Sequence, residues 1–187
     1  MKTYLLFTLV FFQLNLFGKQ IEEIIFNKHN LGAHSISVDL FMYIIKNIPH
    51  GSSILEFGSG RGTGELARYY TIFSIENDPL WLNKYPSTYI YAPIKNYGHY
   101  QWYDFDIINK EMPSSYDLIL VDGPPGHFGR EGFLMNLSMF NTNVTIIVDD
   151  IQRDPERILL ENVSKKLERP YEIITCSDKK KFGVINV

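Results

Sequence analysis

The chain is poor in cysteine and carries no strong excess of charge of either sign. Its 187 residues include one cysteine, Cys176, so no disulfide can form within the chain. The formal net charge is −3 at pH 7, and the densest cationic run is the three lysines at 179–181. So short a run between two predicted strands is typical of a solvated turn, and the sequence therefore predicts no nucleic-acid partner.

An apolar run of the length that a transmembrane helix needs, about 20 residues, is also missing. The most apolar stretch is residues 4–17, which follows Lys2, precedes Gly18 and is interrupted by Gln13 and Asn15. This layout is typical of a secretory signal peptide. Residues 1–20 therefore predict an exported or membrane-associated protein whose membrane contact is confined to that segment. A retained amphipathic helix on a cytoplasmic protein is the alternative, and residues 21–187 form one domain in either case.

A glycine-rich turn between two apolar runs is the most informative feature that is present. Ile54 and Leu55 precede Glu56, and glycines follow at every second position from 58 to 64. A second apolar run, residues 71–75, ends in Glu76. This order predicts strand, tight turn, helix, strand and acid, which is the first half of a nucleotide-binding α/β unit. Glycine permits unusual φ values and a close approach of ligand to backbone, and an acid at the strand end can accept hydrogen bonds from ribose hydroxyls.

Glu56 distinguishes between two classes of cofactor. A carboxylate two residues before the first glycine would repel the pyrophosphate of a dinucleotide, whereas it suits a cationic or amine-bearing ligand. The segments ILEFGSGRGTGELA and FSIENDP resemble motif I and the acidic second-strand end of class I S-adenosylmethionine-dependent methyltransferases. The resemblance covers about residues 35–187. It implies that S-adenosyl-L-methionine is the cofactor and that its binding residues are Glu56, Gly58, Ser59, Gly60, Glu76 and Asn77.

The rest of the chain alternates predicted strands and helices. Further strands are predicted at 88–94, 116–121, 144–148, 171–176 and 182–187, with an added strand or a lid at 98–106. Helices are predicted at 21–30, 38–48, 65–70, 79–85, 128–140 and 154–167, and Ser37 is predicted to cap the 38–48 helix. The fold class is therefore α/β, with a doubly wound, mostly parallel seven-stranded Rossmann-like sheet and a C-terminal antiparallel hairpin. In this family the loop before the 38–48 helix often closes over the cofactor, which makes His34, Ser35 and Ser37 either ligand contacts or residues of an exposed loop.

Five acids stand at the predicted carboxyl ends of strands, where an open parallel sheet binds its ligands: Glu56, Glu76, Asp122, Asp149 and Asp150. Such a concentration of negative charge needs cations among it. The sulfonium of the cofactor supplies one. The chain also resembles metal-dependent O-methyltransferases of the catechol type, which bind a divalent ion through an acid after the fourth strand and an Asp-Asn pair after the fifth. The resemblance implies an Mg²⁺ or Mn²⁺ site at Asp122, Asp149 and Asp150.

Two departures from the catechol-type pattern leave alternatives open. The second residue of the pair is Asp150 rather than asparagine, and the expected lysine base is replaced by a region that holds His127 and Arg130. Asp122 is therefore a general base for a substrate hydroxyl, a metal ligand, or a structural acid that caps its loop. The Asp149-Asp150 pair is either metal-binding or caps the next helix and pairs with Arg153 or Arg157.

The segment VDGPPG is similar to a motif of sugar O-methyltransferases. The sequence therefore predicts O-methylation of a small molecule or of a sugar hydroxyl, with a small-molecule or glycan acceptor and Asp122 as the catalytic residue. Two alternatives are a non-catalytic domain that binds an adenosine ligand and an aminopropyltransferase-like enzyme.

Overall fold

The computed structural model describes residues 35–187. The signal-peptide-like segment 1–20, the helix predicted at 21–30 and His34 lie outside the described residues. Within residues 35–187, no helix combines the length and the apolar character that crossing a bilayer requires.

Seven strands of the described region form one sheet in the spatial order β3-β2-β1-β6-β7-β9-β8, and β4 pairs with β5 in a separate hairpin. The strands are β1 (Ser53–Phe57), β2 (Thr71–Glu76), β3 (Thr88–Tyr91), β4 (Ile94–Asn96), β5 (Gln101–Tyr103), β6 (Leu118–Val121), β7 (Thr145–Val148), β8 (Tyr171–Thr175) and β9 (Lys181–Ile185). The pairs from β3 to β7 are parallel, and β9 is antiparallel to both β7 and β8. The predicted doubly wound sheet with a C-terminal antiparallel hairpin is confirmed.

The register of the central strands places their ends side by side. Phe57 of β1 is opposite Ile75 of β2 and Val121 of β6, and Val121 is opposite Val148 of β7. The residues that follow these strands therefore stand in one row at the carboxyl edge of the sheet. The strand order reverses direction at β1, so this edge is the crevice where open α/β sheets bind ligands.

Helices cover both faces of the sheet and bury two apolar clusters. They are α1 (Val38–Asn47), α2 (Arg61–Leu66), α3 (Phe105–Glu111), α4 (Glu131–Met135) and α5 (Asp154–Leu167), with 3₁₀ turns at Pro79–Trp81 and Leu137–Met139. Ser37 caps α1 as predicted, because its Oγ accepts a hydrogen bond from the N–H of Leu40 at 3.0 Å.

The glycine-rich segment differs from the prediction, since its helix begins at Arg61 rather than at residue 65. Gly62 and Gly64 are thus helical residues and do not belong to the turn. A Cβ at Gly62 would lie 2.7 Å from Cγ1 of Ile36, and one at Gly64 would lie 2.6 Å from Cδ1 of Tyr85. These two glycines are required by close packing, whereas Gly58, with φ at +85°, is required by its backbone conformation.

Other element boundaries also differ from the predictions. The helix predicted at 79–85 is only a 3₁₀ turn, and the one predicted at 128–140 is divided into the short α4 and a second 3₁₀ turn. Residues 98–106 contribute β5 and the start of α3, a helix that was not predicted. The side chains of Trp102 and Tyr103 are fully buried and pack against Phe57, so long-range packing sets this region.

Candidate functional site

Glu76 holds the glycine loop that follows β1. Its Oε2 accepts a hydrogen bond from the N–H of Ser59 at 2.8 Å, and its Oε1 accepts from the N–H groups of Asn77 and Asp78 at 2.7 Å each. Burial raises the pKa of Glu76, and the three backbone donors act in the opposite direction. One carboxylate therefore joins the loop after β1 to the loop after β2 in a single preformed cradle.

Glu56 lies beneath this cradle and is 2% exposed. Its Oε2 accepts hydrogen bonds from the hydroxyls of Thr63 and Ser74, each at 2.8 Å. Burial raises the pKa of Glu56 to about 7, the two hydroxyl donors lower it, and the charge of Glu76 raises it further. Its carboxyl is therefore poised near neutral pH, and a cation bound nearby would favour the ionised form.

The loops after β1 and β6 are in direct backbone contact at two glycines. A Cβ at Gly58 would lie 3.0 Å from Cα of Gly123, and a Cβ at Gly123 would lie 2.4 Å from the hydroxyl oxygen of Tyr103. Tyr103 is fully buried, and its raised pKa reflects burial first and then the charge of Glu76. The backbone of Gly58 and Gly123 therefore lies at the base of the crevice, with the hydroxyl of Tyr103 beside it.

Some buried polar atoms that border the crevice have no hydrogen-bond partner within residues 35–187. They include Oγ of Ser35, Oδ1 of Asn77 and the hydroxyl of Tyr103. Ser35 lies against α2, since its Oγ is 3.3 Å from the position of a Cβ at Gly62. Buried polar groups in native proteins are almost always paired, so these atoms indicate a ligand that supplies hydroxyl or amine partners. Together with the acids Glu56 and Glu76, they fit S-adenosylmethionine, which carries ribose hydroxyls, amines and a positive charge.

The acids after β6 and β7 come together as predicted. Asp122, Asp149 and Asp150 each place a carboxylate oxygen within 4.8 Å of the others. Burial raises the pKa of both Asp122 and Asp149; Arg130 lowers that of Asp122, while neighbouring carboxylates raise both. Oδ1 of Asp149 accepts a hydrogen bond from the N–H of Asp150 at 2.8 Å. The side chain of Asp122 is 24% exposed, so within this cluster it is the acid with the most access to solvent.

Arg130 supplies a buried cation to this cluster, and the sequence analysis gave it no role. Its Nη2 is 3.4 Å from Oδ1 of Asp122 and 3.3 Å from Oδ2 of Asp150. The predicted partner Arg153 pairs with Asp150 at 3.1 Å, whereas Arg157 pairs with Asp154 and Glu161 instead. A divalent ion bound to Asp122 and Asp150 would have a guanidinium as its immediate neighbour, and the repulsion disfavours that arrangement. The residues fit a cluster in which arginines pair with Asp122 and Asp150 better than a metal centre.

The predicted cofactor residues are adjacent in the structure. Ser59 and Asn77 donate to Glu76, and the N–H of Gly60 donates to Oγ1 of Thr63 at 3.0 Å at the start of α2. His127 is exposed on the loop before α4, where its ring lies 4.0 Å from that of Phe128. The roles of all these residues in binding or catalysis remain predictions.

Two residues of the site were missed. Arg130 is the only lysine or arginine between Lys110 and Arg153, and its isolation amid apolar strands was a signal that sequence reasoning can use. Tyr103 lies in the segment 98–106 that was predicted as an added strand or a lid, but nothing local marks its hydroxyl as the one that reaches Gly123.

Comparisons with known proteins identify the fold. No protein-family model matches the chain, and no curated protein matches it. A methyltransferase from Pyrococcus furiosus is similar in structure at 16% identity and a TM-score of 0.55, with 91% of this chain and 94% of that chain covered. The METTL16 methyltransferase domain is similar at 11% identity and a TM-score of 0.50, with 80% of this chain and 65% of that chain covered. The chain thus spans just under two thirds of that domain. It has the fold of class I S-adenosylmethionine-dependent methyltransferases.

The exclusion of a nucleic-acid partner is wrong. The solved structures similar to this chain include the B. subtilis M1A22 tRNA methyltransferase TrmK, at 15% identity and a TM-score of 0.46, with 78% of this chain and 63% of that chain covered. A weakly negative net charge and a short lysine run do not rule out a nucleic-acid acceptor, because the net charge of a whole chain says nothing of the charge around one crevice.

Proposed function

We propose that this protein is an S-adenosylmethionine-dependent methyltransferase whose cofactor lies in the crevice between the loops after β1 and β2. The main support for the proposal is that the Glu76 carboxylate accepts hydrogen bonds from three backbone N–H groups of those loops. A carboxylate has about four lone-pair positions, so Glu76 keeps acceptor capacity for a ribose hydroxyl while the cradle stays intact. The same three hydrogen bonds fix the loop after β1 relative to the loop after β2.

Each neighbouring residue has a proposed part in binding. The Gly58–Gly60 backbone lines the crevice, Glu56 balances positive charge, and the unpaired Oδ1 of Asn77 accepts a hydrogen bond from an adenosine hydroxyl or amine. Bound S-adenosylmethionine supplies an activated methyl group. The task of these residues is to orient it, because alignment of donor and acceptor atoms is the main requirement of such a transfer.

Asp122 is the proposed catalytic residue. It follows β6 at the same edge of the sheet as Glu56 and Glu76, and its side chain is partly open to solvent. Burial raises its pKa, which brings it closer to the range in which a carboxylate accepts a proton from an acceptor hydroxyl. We therefore propose O-methylation of a small-molecule or sugar hydroxyl as the reaction.

Calorimetric titration of the full chain with S-adenosylhomocysteine tests the cofactor, with NAD as the control ligand. We expect micromolar binding of S-adenosylhomocysteine and no binding of NAD. Binding of NAD alone would contradict the methyltransferase proposal and favour a dinucleotide-dependent enzyme. Binding of neither would reduce the crevice to a feature of the fold.

A transfer assay with methyl-labelled donor tests the acceptor. Phenolic and sugar hydroxyls, an oligosaccharide and total tRNA are compared as acceptors at equal concentrations. Label in the hydroxyl compounds supports the proposal. Label in tRNA alone would support the methyltransferase activity but contradict the proposal of a small-molecule or sugar acceptor. Cofactor binding without any methyl transfer would favour the non-catalytic adenosine-binding domain.

A further inference from the structure

Arg130 is a fully enclosed arginine at the centre of the acidic edge of the sheet, with 4% of its surface exposed. We infer that Arg130 is the resident cation of the Asp122–Asp149–Asp150 cluster, that it positions Asp122, and that it makes the protein independent of a divalent metal. The statement about metal stands without the proposed function, whereas the statement about positioning rests on it.

The backbone contacts of Arg130 tie together the ends of two strands. Its Nη1 donates to the carbonyl of Asp149 at 3.0 Å and to that of Val121 at 3.4 Å, and its Nε donates to the carbonyl of Pro124 at 3.3 Å. Its Nη2 donates to the carbonyl of Asp122. The planar guanidinium thus holds the backbone on both sides of Asp122 in one geometry, which a lysine ammonium lacks the shape to reproduce.

The side-chain contacts of Arg130 place its charge among carboxylates. Its Nη2 lies between Asp122 and Asp150, and its Nε is 3.9 Å from Oε1 of Glu156. Arg153 approaches the same group from outside, at 3.1 Å from Asp150 and 3.7 Å from Glu156. Two guanidinium groups therefore pair with Asp122, Asp150 and Glu156, and the carboxylate of Asp149 accepts the N–H of Asp150.

The position of Arg130 also opposes a metal at this cluster. Hard divalent ions bind carboxylate oxygens at about 2.0–2.6 Å, and an ion shared by Asp122 and Asp150 would face the Nη2 that already contacts both. The ion and the guanidinium would repel each other, because both would lie beside carboxylates that are only 24% and 9% exposed, where water screens charge less than in bulk.

Direct metal binding tests the first part of the inference. The EDTA-treated and dialysed full chain is titrated with Mn²⁺, and bound ion is followed by electron paramagnetic resonance. We expect no stoichiometric binding at millimolar Mn²⁺, and a new site in Arg130→Met, where the acids have lost their cation. Stoichiometric binding by the wild-type chain that Asp150→Asn abolishes would overturn the inference. If Arg130→Met fails to fold, the wild-type titration alone decides.

Kinetic comparison of two conservative variants tests the positioning role. Arg130→Lys retains the positive charge but loses the planar guanidinium with its several donors. We expect kcat to fall about 10- to 100-fold, while KM and the affinity for S-adenosylhomocysteine stay within about threefold of the wild-type values. Arg157→Lys is the matched control, because Arg157 pairs with Asp154 and Glu161 outside the cluster and its side chain is 41% exposed. Equal kcat in both variants, or a change confined to KM, would contradict the positioning role. If the wild-type chain transfers no methyl group at all, the proposed function fails and the Mn²⁺ titration still judges the metal.

Discussion

Gly58 and Gly123 are in backbone contact, and neither position has room for a side chain. A Cβ at Gly123 would lie 2.8 Å from both N and Cα of Gly58. The two glycines follow neighbouring strands, β1 and β6, so their contact sets the distance between the cofactor loop and the loop that carries Asp122. Glycine at both positions is therefore part of the site's geometry.

We predict that Gly58→Ala lowers both stability and cofactor affinity, whereas Gly51→Ala lowers stability alone. Both glycines have positive φ, at +85° and +87°, so each alanine costs about 1–2 kcal/mol in backbone strain. Among the described residues, a Cβ at Gly51 would meet no atom within 4 Å, whereas one at Gly58 would crowd Gly123 and add about 1–3 kcal/mol. Urea unfolding and titration with S-adenosylhomocysteine measure the two effects. Equal behaviour of the two variants would show that the contact is unimportant.

Glu76→Gln is expected to weaken S-adenosylhomocysteine binding about 10- to 100-fold, which corresponds to about 1–3 kcal/mol for lost charge-assisted hydrogen bonds. The amide nitrogen of glutamine cannot accept a hydrogen bond, so either the hydrogen bond from Ser59 or the pair from Asn77 and Asp78 is lost. Calorimetry gives the affinity. Glu65→Gln is the control, since Glu65 pairs only with Arg68 at the surface among its described contacts. Unchanged affinity in Glu76→Gln would place the ribose elsewhere.

Glu56 makes the free energy of unfolding depend on pH. Its pKa is about 7 in the folded chain against 4.5 for an unperturbed group, so between these values the folded state binds more protons than the unfolded state. Stability from this group therefore falls as pH rises from about 4.5 to about 7, by about 1–3 kcal/mol in total. Glu56→Gln is neutral at all pH values, and it should become more stable than wild type as pH rises.

Urea unfolding of wild type and Glu56→Gln from pH 4.5 to pH 8 measures this difference. The other buried acids remain in both proteins and largely cancel in the comparison. Glu111→Gln serves as the control at an exposed position. A difference between wild type and Glu56→Gln that is flat with pH would mean that the pKa of Glu56 is the same in the folded and the unfolded chain.

Asp122→Asn is expected to reduce kcat about 10²- to 10⁴-fold, the usual contribution of a general base. The affinity for S-adenosylhomocysteine should change less than about threefold, because Asp122 follows β6 and takes no part in the hydrogen bonds of Glu76. Single-turnover transfer of labelled methyl groups measures the chemical step. Asp106→Asn is the control, since its side chain is 93% exposed. Full activity of Asp122→Asn would leave Asp122 as a structural acid.

Much of the fold was open to sequence reasoning because its signals are local. Alternating strands and helices, the apolar run 116–121 and the Ser37 cap each depend on residues close in sequence, and each appears in the structure close to its predicted place. The sequence did not predict the extent of α2 or the presence of α3. Gly62 and Gly64 look like turn residues until Ile36 and Tyr85 are seen packed against them.

The candidate site divides in the same way. Glu56, the glycine turn and Glu76 belong to one strand–turn–helix–strand unit, so the sequence alone determined that an acidic, glycine-lined crevice forms and that it suits a cationic adenosine ligand. Only the tertiary structure decided how the acids beyond β6 and β7 are balanced. Arg130 meets Asp150 across 20 residues of chain and the carbonyls of two separate strands, and Tyr103 reaches Gly123 from another hairpin. Such partners are set by how the strands and loops stack in space, because a buried charge takes whichever carbonyls and carboxylates the packed fold brings within hydrogen-bond distance.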